Sequence, residues 1–533
     1  MVKKHKPLGI NDPLRHPDHA RPVSRRDFIR QGFIGGPAMV LTGSVFSLFS
    51  NPNEVMAGDL GQLAADINCK LGGVGSGTTK IPFICFDLAG GANFASSNVI
   101  VGQSGGQMDL LSTSGYNKMG LPGDIIPGLS DANNPQRNAS DGDFTNSQLG
   151  LKFHSDSALL TGILEKFQSV ADGLVDGAVI PARSGNDTSN NPHNPLYGIA
   201  KAGAVGGVVK LIGSRNTESG GNSVAPPELI DPTIRPTKVD RPSDVTGMVD
   251  VGDLTAVFNS PEDVTAVMES MARISHKKLK SVSTGIPSTT VPSKDEVIKD
   301  LVRCGYLKAA DIAQRFAGVQ VDPASDPAIV GATGIFSAAE FSGESEFRKT
   351  ASVMKMVIDG HAGAGCITMG GFDYHTGDRQ VGEARDLRAG RCIGACLEYA
   401  AVRGQPLMIY VYSDGSVASN GALDNSTGGR GKGVWTGDNS STACSFFLVF
   451  NPNGNITAFN GSGLIDPRQI GRFSGDGSVV TSATPAANNV NLLVNTVLAN
   501  YMALNGDIGQ FASTFANHGL GDYTQYISFN PLV

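Results

Sequence analysis

Tryptophan occurs once in this 533-residue chain and aromatic residues make up only 7% of it, whereas glycine fills 68 positions. That balance predicts a surface rich in loops. The seven cysteines, at 69, 85, 304, 366, 392, 396 and 444, are odd in number and scattered, and no C-x-x-C pair occurs. A zinc knuckle and a thioredoxin-like motif are thereby excluded. Cys85, Cys366 and Cys444 sit in apolar, strand-like runs, where a thiol acts as a small buried hydrophobe. Cys392 and Cys396, four apart on a predicted helix, can share one face, which leaves a disulfide or metal role open to them. Beyond residue 57 no stretch offers 18 consecutive apolar residues, so no membrane span is expected in the mature chain. Positive charge is scarce there too. The first 57 residues hold eight Lys or Arg and four Asp or Glu, leaving 34 against 45 and a net charge of −11. Such an acidic body argues against nucleic acid or an anionic membrane as the main partner.

What the chain does have begins with Arg25-Arg26, in the run Ser-Arg-Arg-Asp-Phe-Ile from 24 to 29. An apolar stretch from Phe28 to Phe49 follows, broken by Gly32, Gly35, Gly36, Pro37 and Gly43, too interrupted to settle as a membrane span. Val55-Met56-Ala57 then supplies the small residues a signal peptidase accepts. This order predicts a twin-arginine signal peptide over 1–57, with the twin-arginine translocase as the partner during export and a periplasmic or secreted mature protein. That route carries proteins already folded, often with a metal or cofactor seated.

Short apolar runs alternate with helical patterns, which predicts an α/β fold with a mostly parallel central sheet flanked by helices. Strands are expected at Ile81–Asp87, Ala178–Ile180, Cys366–Met369, Leu407–Tyr412 and Cys444–Phe450, and helices from about Ser155, over Asp378–Val402 and from Val490 to about Asn505. Ser260-Pro261-Glu262-Asp263 and Ser293-Lys294-Asp295-Glu296 each set a hydroxyl three residues before an acid, the signature of a helix start. Residues 214–259, rich in Pro, Ser, Gly and Asp, form a loop-rich insertion within one domain spanning 58–533.

In an open parallel sheet ligands bind beyond the carboxyl ends of the strands. Asp87 closes the first strand, Asp373 and His375 follow Gly370-Gly371-Phe372, Asp414 follows Tyr412-Ser413, and Asp438 and Asn439 precede the last strand. Carboxylates and a histidine gathered at one edge would hold a divalent cation able to polarise an ester. Asp87 and Asp414 serve equally well as helix caps or turn formers. Asp373 and His375 point the same way if the backbone stays extended. His154 reads as structural, and His361 and His518 as surface or satisfied core histidines.

Gly-Gly-Phe-Asp-Tyr-His (370–375), a helix, Ser-Asp-Gly (413–415) and Thr-Gly-Asp-Asn (436–439) together resemble the closing half of a bacterial family. Its members are twin-arginine-exported, sulfatase-like proteins of unknown function within the alkaline phosphatase superfamily. Leu151-Lys152-Phe153-His154 and Phe336-Ser337-Ala338-Ala339-Glu340 are similar to it as well. The likeness covers most of the mature chain, with 100–150 and 214–259 matching poorly. It implies an alkaline-phosphatase-like domain that cleaves phosphate or sulfate esters with a Ser, Thr or modified Cys nucleophile and divalent metals on Asp and His. Asp373 and His375 then become metal ligands, Asp87 the first-strand ligand with Asn93 competing for that role, and His193 the histidine of the loop after the second strand. No nucleophile is singled out among Ser96, Ser97, Ser184 and Thr188.

Two departures from the family pattern matter. Ser413-Asp414-Gly415-Ser416-Val417 stands where the family has Ser-Glu-Phe-Gly-Arg, so the arginine is missing. Asp438-Asn439-Ser440 stands for Asp-His-Gly, and an amide oxygen at Asn439 suits calcium or magnesium better than zinc. Two functions follow as expectations. One is a metal-dependent hydrolase of small-molecule phosphate or sulfate esters with a degenerate site at Asp87, Asp373, His375, Asp414 and Asp438, using Ca, Mg or Zn. The other is a catalytically inactive binding or envelope-assembly protein on the same fold.

Overall fold

The computed structural model of the chain describes residues 80–185, 191–250, 261–286, 293–316 and 319–532. Arg25, Arg26, the expected signal peptide, Thr188 and Ser260 lie outside them. The described residues fall into two compact units, one holding 262–286 and 293–311 and the other the rest.

The larger unit is organised by seven strands: β1 (Phe83–Leu88), β2 (Val175–Pro181), β3 (Val209–Gly213), β4 (Thr237–Lys238), β5 (Ala362–Met369), β6 (Leu407–Tyr412) and β7 (Cys444–Phe450). They lie in the order β2-β7-β6-β1-β5-β3-β4. All run parallel except β7, which is antiparallel to both β6 and β2. The sheet is therefore mixed and mostly parallel, with helices on both faces. β1, β5, β6 and β7 are buried along their whole length, which is why they appear in the sequence as unbroken apolar runs. On β1 the period of two sends Ile84, Phe86 and Leu88 into one apolar cluster and Phe83 and Cys85 into the other.

Helices α1 (Thr113–Lys118), α2 (Ala158–Lys166), α3 (Leu196–Lys201) and α4 (Pro242–Val249) belong to this unit, as do α7 (Ala338–Gly343), α8 (Ser345–Ile358), α9 (Gln380–Arg403), α10 (Val490–Leu504) and α11 (Phe511–Thr514). The Ser157 hydroxyl caps α2 by accepting from Leu160 N–H, and Ser337 with Glu340 forms a capping box on α7. α2 and α9 press together through glycine. A Cβ at Gly390 would lie 2.0 Å from the Leu159 carbonyl, and one at Gly394 2.3 Å from that of Ile163. The small-residue composition of α9 is thus a packing requirement. Helices α5 (Pro261–Lys280) and α6 (Lys294–Phe316) contribute the smaller unit, and Ser293 and Glu296 cap α6 reciprocally.

The sequence anticipates five of the seven strands to within a few residues but not β3 or β4, because β3 opens on a half-buried and an exposed residue and β4 has two exposed residues. Between 214 and 250 the chain consists of turns, short 3-10 helices, β4 and α4. The reversal of β7 has a simple cause. No α-helix intervenes between β6 and β7, so the chain lingers at the carboxyl edge and returns antiparallel. Five of the seven cysteines, Cys85, Cys366, Cys392, Cys396 and Cys444, are buried free thiols, so Cys392 and Cys396 are not joined. Among the described residues no helix is long and apolar enough to cross a membrane.

Candidate metal centre

The loop leaving β5 sets the geometry. Phe372 and Tyr374 are buried, so on an extended backbone the alternate residues Asp373 and His375 face outward. Phe372 N–H donates to the Ala89 carbonyl (3.1 Å), and the Tyr374 hydroxyl accepts from Asn93 N–H (3.0 Å), fastening this loop to the chain that leaves β1. At their closest point stands Gly90, with φ +128° and an imagined Cβ only 2.3 Å from Asp373 N. Only glycine permits that approach. Asp438 arrives from the other side, in the two-residue strand Gly437–Asp438 paired with Val417–Ala418. His375 Nε2 lies 2.7 Å from Asp373 Oδ1 and 3.6 Å from Asp438 Oδ1.

One donor atom from each of these three residues lies within 4.8 Å of the other two. A single ion with ligand distances of about 2.0–2.6 Å can span that separation. The side chains of Asp373, His375 and Asp438 are 66%, 37% and 48% exposed, so the remaining coordination positions would open to solvent and substrate. Two carboxylates and an imidazole with open positions are a donor set suited to a catalytic divalent cation.

The other predicted residues share this edge but spend their polar atoms on the protein. Asp87 is buried; its Oδ2 accepts from the N–H groups of Asn222 (2.6 Å) and Ser223 (2.8 Å), and its Oδ1 from the Ser223 hydroxyl (3.2 Å). Burial pushes its pKa up to about 6 against the lowering pull of the Ser223 N–H, and the Asp414 charge adds to the rise. Asp414 Oδ1 accepts from Gly90 N–H (2.7 Å), while the Ser413 hydroxyl accepts from Gly91 and Ala92 and donates to the Leu88 carbonyl. Burial raises the Asp414 pKa, Gly90 N–H opposes the shift, and the Asp373 charge raises it further. The carboxylates therefore feel one another along the edge, yet only Asp373 and Asp438 meet at His375. Asn93 is a buried bracket whose Nδ2 donates to the Val417 carbonyl (2.9 Å). Asn439 Oδ1 accepts from the N–H (2.9 Å) and hydroxyl (2.6 Å) of Ser441, as the cap of a 3-10 turn. Its amide oxygen is committed to that cap and does not join the three donors.

His193 is buried and stacked on Tyr412, with ring centroids 5.6 Å apart. Its Nε2 is 2.8 Å from Ser184 Oγ, and burial alone pulls its pKa down to about 3, so it is neutral. Ser96, at φ +59°, and Ser97 are also buried. His154 is structural: its Nε2 lies 2.8 Å from the Ile125 carbonyl and its Nδ1 accepts from Asp156 N–H.

Sequence reasoning passed over a buried ionic network just beneath. Glu383 on α9 faces Arg379 Nε (2.8 Å), Arg137 Nη1 (2.6 Å) and Lys432 Nζ (3.1 Å), and Lys432 also meets Asp156, which takes the Arg430 guanidinium. Beside it Asp386, accepting from Asn98 Nδ2 (2.9 Å), has its pKa raised to about 7, chiefly by burial and then by the Glu383 charge, against the bond from Asn98. A carboxyl whose folded pKa exceeds its ordinary 3.8 binds its proton more tightly when folded, so it costs stability progressively as pH rises from about 4 to about 7. Asp386→Asn should therefore gain stability relative to the wild-type chain across that window, measured as the difference in urea midpoints at pH 4.5 and 7.5. A constant difference would contradict this. His154 and His193, with lowered pKa values, produce the opposite slope in both proteins and cancel in the comparison.

Fold and edge together define an α/β protein with a mostly parallel sheet, at whose carboxyl edge Asp373, His375 and Asp438 gather as candidate cation ligands. Comparison with protein-family models, with curated proteins and with solved structures finds no match.

Proposed function

We propose that this protein is an exported, divalent-cation-dependent hydrolase of phosphate or sulfate esters on an alkaline-phosphatase-like α/β domain, with a reduced metal site. The carrying observation is the convergence of Asp373, His375 and Asp438 at the carboxyl edge, where open α/β sheets bind their ligands. An imidazole suits zinc, and exposed carboxylates suit magnesium or calcium, which retain waters. When bound at Asp373, His375 and Asp438, such an ion would act as a Lewis acid on the ester oxygen. Export through the twin-arginine translocase follows from Arg25-Arg26 and puts the mature chain in the periplasm or outside the cell.

A second reading, a catalytically inactive binding or envelope-assembly protein, is favoured by one observation: Asn439, Asp87 and Asp414 are engaged elsewhere, leaving three donors. Metal analysis of natively exported protein, with hydrolysis assays on phosphate and sulfate monoesters, decides between them. The hydrolase reading expects one ion per chain and turnover that stops on chelation and returns with the cation. Bound metal without turnover selects the binding protein, and a folded, metal-free, inert chain removes the metal site altogether.

A further inference from the structure

Beside Gly370, the ends of β3, β4 and β5 and the starts of α8 and α9 line an open cleft of about 570 Å³. In a chain whose mature part is strongly acidic, its charged lining is inverted: Arg215, Lys238, Lys349, Arg385 and Arg388 against Asp240 and Glu346. The two acids are already spent. Asp240 takes Lys238 (2.7 Å), and Glu346 takes Lys349 (2.8 Å), which also donates to the Thr368 carbonyl. Arg388 reaches only Glu344, at 3.9 Å, and its Nε is buried without a partner. Among the described residues the guanidinium groups of Arg215 and Arg385 have no hydrogen bond or ion pair.

Those two guanidinium groups lie against the Gly370-Gly371 pair. A Cβ on Gly371 would fall 3.0 Å from Arg385 Cζ, and one on Gly370 would fall 4.0 Å from Arg215 Nη2. The glycines leave the space open and the arginines occupy its rim. Guanidinium forks gathered without counter-ions repel one another and present bidentate donors to a tetrahedral oxyanion. The volume exceeds what a lone oxyanion needs and lies in the range of small-molecule sites.

We propose that this cleft binds the phosphate or sulfate group of a small organic ester, with Arg215 and Arg385 as its principal ligands. The choice of an ester over a free anion rests on the hydrolase reading; anion binding itself rests on the guanidinium groups and needs no metal. The cleft and the metal trio share one loop, so an ester anchored here would extend along Gly370–Phe372 toward Asp373.

Calorimetric titration of the full exported chain in the presence of chelator, with glucose 6-phosphate, inorganic phosphate, inorganic sulfate and glucose, tests this. Glucose 6-phosphate should bind more tightly than phosphate or sulfate, and glucose should not bind. Arg215→Ala and Arg385→Ala should each weaken binding about tenfold or more, the loss of one charge-assisted contact. Arg385→Lys should restore part of it, which a merely unfolded variant would not do. Because the titration is run in chelator, binding should be seen whether or not the chain hydrolyses any ester, so failure of the hydrolase reading leaves this result standing. Absence of binding to any of the three anions, or equal binding by the Arg215→Ala/Arg385→Ala double variant, overturns the site. Equal affinity for glucose 6-phosphate and inorganic phosphate overturns the assignment to an ester.

Discussion

Glu383→Gln should lower the stability of the folded chain by about 3–5 kcal/mol at pH 7, the usual cost of removing one partner from a buried ion cluster. Glu383 is buried on α9 and is the carboxylate shared by Arg379, Lys432 and Arg137. Among the described residues the Arg379 guanidinium, 1% exposed, has no other acidic partner; beyond Glu383 it has a long contact to the Gly433 carbonyl and the face of Trp435, 4.3 Å away. A glutamine preserves shape and removes the charge, leaving the Arg379 guanidinium without an ion pair and the Lys432 ammonium with Asp156 alone, while Asp386 stands nearby with its own pKa raised. Burial alone would raise the pKa of Glu383, but the charges of Lys432, Arg379 and Arg137 outweigh it and hold it at about 2. Its contribution is therefore complete above the ordinary 4.5 and fades as pH falls through about 2. The deficit of the variant in urea unfolding should be full at pH 7 and smaller at pH 3. A difference below about 1 kcal/mol at pH 7 would mean that the cluster is held by packing and not by charge.

Asp373→Ala and His375→Ala should do the reverse, abolishing function while sparing the fold. Removing an outer partner of a metal ligand already costs about 10–100-fold in affinity, so losing a direct ligand should cost about 100-fold or more in cation binding and reduce ester hydrolysis to background. Both side chains project from the loop into solvent, and the loop is anchored by Phe372 and Tyr374. Unfolding free energy should therefore stay within about 0.5 kcal/mol of wild type, as for ordinary surface substitutions. Cation titration and urea unfolding on the same preparations provide both readings. Undiminished cation binding in either variant would sink the centre.

These two experiments address residues that differ in how visible they are in the sequence. Asp373 and His375 are conspicuous because two local regularities coincide: a strand that ends in glycines and an alternation of buried aromatic with polar residues. Asp438 is legible as an acid before an apolar strand, but so are Asp87 and Asp414 as acids after one. Nothing local separates a carboxylate that meets an imidazole from one that receives backbone N–H groups from segments over a hundred residues away, as Asp87 does from Asn222 and Ser223. Asn439 shows the same limit. An amide in that position suits either a cation or a turn, and only the Ser441 contacts reveal the turn.

By itself the sequence determined the alternation of elements, the fully buried central strands, the helix cap at Ser293, and the acidic character of the body. Each is written in neighbours a few residues apart or in bulk composition, where hydrophobic period and capping chemistry act. The tertiary structure decided which acids converge, that Lys432 and Arg430 bridge to residues 49 to 276 positions away, and that Arg215 and Arg385 face one cleft without counter-ions. Charge pairing depends on distance through space, and the crossovers of a mostly parallel sheet bring together residues whose separation along the chain carries no trace of it.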